Sequence, residues 1–153
     1  MVKSQRAQSL INLMPLLFAT PIHTRVGTAG IFCVTASQLA LSDQEAQDIA
    51  EVIHASLPKG CRLNEYDDQQ WRCVVPNKLQ LRTTPASKIE GQELRPFVPK
   101  GKDASQWKAI VAEVEMALHD HPVNQQRRAR NQPTIDSLWL WQPSFWQRLR
   151  GQR

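Results

Sequence analysis

Residues 103–141 read DASQWKAIVAEVEMALHDHPVNQQRRARNQPTIDSLWLW, and both kinds of element that decide the fold lie in this stretch. Behind Asp103, a capping residue type, Trp107, Ile110, Val111, Val114 and Leu118 recur at helical spacing on one face, with Lys108, Glu113 and Glu115 off it. That pattern predicts an amphipathic helix over 103–119. Pro122 follows, then a second helical piece over 123–130 that closes at Asn131, a residue type that tolerates the left-handed conformation past a helix end. From Ser137 the period changes from 3.6 to 2. A strand over 137–141 sends Leu138 and Leu140 to one side and Trp139 and Trp141 to the other, and Pro143 stops it.

Working outward, Ser42-Asp43-Gln44-Glu45 forms a capping box in front of Ala46, Ile49, Ala50, Ile53 and Leu57. A helix over 42–56 is expected. Strand-like runs occupy 16–19, 22–26 and 31–35. Thr20-Pro21 reads as a turn between the first two, and Gly27 and Gly30 as the hairpin joining the last two. Residues 61–65 and 71–75 read as strands around the polar turn 66–70, and 79–82 as a further short strand. Residues 83–101, punctuated by Pro85, Gly91, Pro96, Pro99 and Gly101, read as a long surface connection, functional or mobile, with a short helix near 87–89. The expected fold is α+β: a mostly antiparallel sheet of about five or six strands covered on one face by two main helices. Residues 1–15 read as an N-terminal extension with a short helix over 3–14, 16–142 as one domain, and 143–153 as a basic-aromatic tail.

The formal charge of +5 is unevenly placed. Residues 1–121 balance, whereas 122–153 hold six arginines (Arg127, Arg128, Arg130, Arg148, Arg150, Arg153) against Asp136 alone. Arginine forks suit phosphate and carboxylate, so the end of the chain favours an anionic partner; a solvated helix face with a basic tail is the alternative. Cys33, Cys61 and Cys73 show no CxxC or Cys/His spacing and read as small buried thiols in a reducing, cytoplasmic setting. The apolar run Leu10–Phe18 is interrupted by Asn12 and Pro15, lacks a cleavage pattern and is too short to span a bilayer.

His119-Asp120-His121 offers imidazoles and a carboxylate, but positions i and i+2 do not share a helix face and no third ligand lies nearby. Closing the helix end is the competing role. Asn124 and Arg127 project together and could grip a phosphate or carboxylate, or else bond the carbonyls of the following loop. Trp139 and Trp141 read either as a stacking surface or as core. The GxSxG, GxGxxG and phosphate-loop patterns are absent. No catalytic residue, metal ligand set or cofactor is expected.

The run Leu118-His119-Asp120-His121-Pro122-Val123-Asn124, then Arg127, Arg130 and Asp136-Ser137-Leu138-Trp139-Leu140-Trp141, resembles the signature of short bacterial proteins known as cofactor-independent phosphoglycerate mutase-like or pathogenicity-factor regulator-like. Thr20-Pro21-Ile22-His23, Leu81-Arg82-Thr83-Thr84-Pro85 and Lys100-Gly101-Lys102-Asp103 with Trp107 resemble further segments of that family, so the likeness spans about 16–141. Asn131, Asp136 and Gln142 depart from it, standing where the family has Gly, Asn and Gly. The larger archaeal-type mutases use two metal ions, many Asp and His ligands and a Ser nucleophile. The resemblance therefore implies kinship of a segment, with the dimetal site missing from a chain holding four histidines. It also implies His121, Asn124, Arg127, Arg130, Trp139, Trp141 and His23 as ligand-binding candidates. The first expectation is thus a non-catalytic binding or regulatory domain for an anionic small molecule or acidic protein. A phosphoglycerate mutase or other phosphotransfer enzyme, and a nucleic-acid or acidic-protein adaptor working through the Arg-rich C-terminus, are the alternatives.

Overall fold

A computed structural model describes residues 15–35 and 39–144. The helix expected over 3–14 and most of the basic tail lie outside the described residues. In chain order the elements are β1 (Leu16–Gly27), β2 (Gly30–Thr35), α1 (Asp43–Ser56), β3 (Arg62–Leu63), β4 (Trp71–Val74), α2 (Ala104–His119), α3 (Pro122–Ala129) and β5 (Ser137–Trp141). The five strands form one antiparallel sheet, so the α+β class and the principal helices stand as the hydrophobic spacing predicts. No helix among the described residues is long and apolar enough to cross a membrane.

β1 is the hub of the sheet. Along one edge it pairs β4 through residues 16–19 and then β2 through 23–27; along the other it pairs β5 through 18–22. The turn expected at Thr20-Pro21 does not form, because β1 runs straight through it. Val75 N–H donates to the Pro15 carbonyl on the β4 edge, and Asp136 N–H donates to the Ile22 carbonyl on the β5 edge. By alternation the Pro21 nitrogen faces the first edge, in the gap where β4 pairing has ended at Ala19 and β2 pairing has yet to begin at His23. A missing donor costs the ladder nothing there. The strands expected over 61–65 and 71–75 are trimmed to β3 and β4, and 79–82 contributes only an Arg82–Lys100 bridge.

Each face of the sheet is covered. Leu17, Ala19, Leu138 and Leu140 meet Ile49 and Ile53 of α1, Trp107, Val114 and Leu118 of α2 and Val123 of α3. On the opposite face Phe18, Ile22, Trp139 and Trp141 meet Ala86, Ile89 and Leu94. The connection 83–101 is therefore a second covering layer, built on 3-10 turns at Ala86–Lys88 and Arg95–Phe97. It also closes the outer edge of β2: Cys33 N–H donates to Gln92 O, Gly91 N–H to Cys33 O and Leu94 N–H to Ile31 O. Each large apolar side chain buried between these layers is worth about 1.5–3 kcal/mol.

Two local devices differ from, or sharpen, the sequence reading. The capping box is present in full, with Glu45 N–H on Ser42 Oγ at 3.1 Å and Ser42 N–H on Glu45 Oε1 at 3.0 Å. Asp103, in contrast, makes no side-chain cap on α2; its carboxylate accepts from Gln80 N–H at 2.7 Å. Gly101, at φ +122, lies against the Gln80 carbonyl, where a Cβ would collide with backbone. Gly101 and Asp103 thus clamp the 79–82 segment to the entry of α2.

Candidate functional site

The junction α2–α3–loop–β5 carries most of the candidate residues. His121 caps α3, its Nδ1 accepting from Val123 N–H at 3.1 Å. Arg128 donates to the His119 carbonyl at 2.7 Å, and Gln125 to the Asp120 carbonyl at 2.9 Å. The turn between the two helices is thereby held through the His119 and Asp120 carbonyls and the His121 ring. Asn131 takes the left-handed conformation, φ 56, beyond α3.

Asn124 and Arg127 do not face a ligand; both are buried, with relative exposures of 1% and 2%. The Asn124 amide donates to Leu118 O at 2.8 Å and Ile135 O at 2.7 Å, and its oxygen accepts from Ile135 N–H at 2.8 Å. Arg127 donates from Nε to Glu45 Oε2 at 2.7 Å, from Nη1 to Pro133 O at 2.9 Å, and from Nη2 to Leu39 O at 2.8 Å and Glu45 Oε1 at 3.1 Å. The expectation of an outward anion grip therefore gives way to the other role open to these side chains, fastening the loop. Burial pushes the Glu45 carboxyl up, but the hydrogen bonds from Arg127 and from the Ser42 N–H outweigh it and hold the group below its ordinary value.

His23 reaches the same loop from β1. Its Nδ1 lies 2.9 Å from Thr134 O and 3.0 Å from Asp136 Oδ2. Asp136 also accepts from Thr24 N–H at 2.8 Å and from Thr134 Oγ1 at 2.6 Å, beside the register shift at His23/Thr24, where β2 carries the extra residue Val34. Asp136, which stands where the resembled family has Asn, turns toward β1. His23, Asn124 and Arg127 converge on one backbone segment, 133–136.

Trp139 and Trp141 are buried on the other face of the sheet. Trp139 Nε1–H donates to Thr84 O at 2.7 Å, and Trp141 Nε1–H to Thr20 Oγ1 at 2.9 Å. Trp141 meets Phe18 edge-on, with centroids 4.8 Å apart. Their placement is the core alternative, as the alternation with Leu138 and Leu140 allowed. Arg130 alone of the candidates is exposed.

Two concave surfaces lie elsewhere. A cleft of about 590 Å3 separates α1 from the β3–β4 hairpin, with Asp43, Glu51, Glu65 and His54 at its rim and Tyr66 and Trp71, 4.7 Å apart, at its base. A second groove, of about 550 Å3, runs between α2, β5 and the 94–99 segment and is mainly apolar. Sequence reading missed Glu45 as the partner of Arg127, since its capping box already accounted for it.

Among the described residues no three His, Cys, Asp or Glu side chains group so as to hold a metal ion. Segments 1–14, 36–38 and 145–153 contain none of these residue types.

Residues 23–124 match the model of the family described as 2,3-bisphosphoglycerate-independent phosphoglycerate mutase. The mutase of Methanosarcina mazei bearing that name is 30% identical over 70 residues, covering 44% of this chain and 18% of its own. That of Methanothrix thermoacetophila is 27% identical over 103 residues, covering 66% of this chain and 26% of its own. The chain thus spans about a quarter or less of the length of these relatives. Among solved structures, the cofactor-independent phosphoglycerate mutase from Thermoplasma acidophilum shares the fold with a TM-score of 0.58 at 15% identity, over 90% of this chain and 40% of its own. With most of its α+β unit inside the matched region, the chain belongs to the 2,3-bisphosphoglycerate-independent phosphoglycerate mutase family.

Proposed function

We propose that this chain is a non-catalytic binding or regulatory domain of the mutase family. One observation carries the reading: His23, Asn124, Arg127, Trp139 and Trp141, which bear the family likeness, are consumed in holding the fold together. Asn124, Arg127 and His23 fasten residues 133–136. Thr83 and Thr84 anchor the strand end, accepting from Gln142 N–H and Trp139 Nε1–H. Gly101 and Asp103 clamp the entry of α2. None of these groups is left to meet a reacting substrate.

An anionic ligand, if bound, is met by the exposed cations at the end of α3, Arg128 and Arg130, and not by Arg127. The cleft beside α1 repels anions, because three carboxylates and no Lys or Arg line it. The test combines turnover of 3-phosphoglycerate, metal content and calorimetric titration with 3-phosphoglycerate. The expected result is no turnover, no stoichiometric metal, and binding that weakens in Arg130→Ala. Mutase turnover by the purified chain would overturn the non-catalytic reading. Titration heats identical in Arg130→Ala and wild type would remove the anion contact at this surface.

A further inference from the structure

The solvent side of α2 carries small and apolar side chains around one carboxylate, Glu113. Ala109, Ala112, Met116 and Ala117 are exposed there, Met116 at 72%, where a surface helix ordinarily presents charged side chains. Adjoining this face is the apolar groove, lined by Trp107, Val111, Leu138 and Leu140 and reaching Val26 and Ile31 at the hairpin tip. β5 lies along it and pairs with β1 alone, so its other edge is open among the described strands.

The charges that do line the groove along α2 are Lys108 and Glu115. They stand two helical turns apart, about 10.5 Å along the axis, with Val111 and Ala112 midway between them. Glu115 is held in place by Ser137, whose Oγ donates to Oε1 at 2.9 Å. Opposite charges placed symmetrically about an apolar centre are self-complementary under a two-fold axis. If two α2 helices lie antiparallel with the axis between Val111 and Ala112, each Lys108 meets the partner's Glu115. The alanines at 109 and 112 let the helices approach closely, and Met116 fills the seam.

We propose that a second copy of this chain docks on the α2 face and its adjoining groove, forming a two-fold homodimer with reciprocal Lys108–Glu115 pairs. A charge swap tests it. The masses of wild type, Lys108→Glu, Met116→Asp and the double variant Lys108→Glu/Glu115→Lys are followed by sedimentation equilibrium, with circular dichroism to verify folding. Wild type is expected at twice the 17.4 kDa chain mass. Lys108→Glu sets like charges together at both ends of the seam and is expected to weaken dimerisation about tenfold or more; Met116→Asp acts likewise. The double variant restores opposite charges and is expected to regain most of the lost affinity. A monomeric wild type at roughly 200 μM would overturn the proposal, as would a dimer indifferent to Lys108→Glu and Met116→Asp, or a double variant no better than Lys108→Glu.

Discussion

Arg127 and Glu45, 82 residues apart in the chain, form an ion pair in which the buried guanidinium Nε lies 2.7 Å from the half-buried carboxylate. The same carboxylate closes the capping box of α1 through Ser42 N–H. One side chain therefore starts a helix, neutralises a buried cation and, through that cation, ties Leu39 and Pro133 to the core.

Removing the cation should be costly. Arg127→Ala leaves Glu45 and two carbonyls without their donors and opens a void where a 2%-exposed side chain stood. A loss of about 3–5 kcal/mol in urea unfolding is expected, the range for breaking one half of a buried pair. A loss below about 1 kcal/mol would mean the guanidinium is held less tightly than its four contacts imply.

The pair also makes stability depend on pH. The folded carboxyl of Glu45 lies below its ordinary value, so its contribution is complete above the unfolded carboxylate range, near 4.3. It fades as pH falls through the depressed folded value. The gap in urea midpoint between wild type and Glu45→Gln should therefore be wide near neutrality and narrow at about pH 3. A gap constant with pH would show that the carboxylate's charge plays no part.

Asn124 offers a cleaner deletion, since it is neutral. Asn124→Ala removes two donors and one acceptor from buried backbone at Leu118 and Ile135. A cost of at least about 2 kcal/mol is expected, with amide exchange at Ile135 rising first. Asn124→Asp should be worse, because it replaces the donating amide with a charge facing two carbonyls.

The thiols should differ in reactivity. Burial pushes Cys73 up to about 12 and Cys33 to about 11, Cys61 and Glu90 respectively adding to the effect. Cys61 is raised also, but it is only half-buried. A thiol reagent at about pH 8 should label Cys61 first and reach the other two only on unfolding. Equal labelling of all three in the folded protein would contradict their placement.

Much of the architecture was legible in local pattern. The α1 start was visible because capping is a contact three residues long, and the split of Trp139 and Trp141 from Leu138 and Leu140 because strand alternation is equally local. The continuity of β1 through Pro21 was not visible, since it depends on which neighbours leave a gap at that point. The roles of Arg127 and Asn124 were ambiguous for the same reason. A guanidinium that grips a ligand and one that grips Leu39, Pro133 and Glu45 have the same local sequence, and only the packing of α1 against α3 separates them. The cover over the second face was read as a loose connection, because its apolar residues, Ala86, Ile89 and Leu94, have no regular period.

Phe18, near the start of β1, sits directly across from Trp141, the last residue of β5. The polypeptide therefore enters and leaves this unit at one place, on neighbouring strands about 5 Å apart. A module with adjoining entry and exit can be spliced into a loop of a host protein without stretching it.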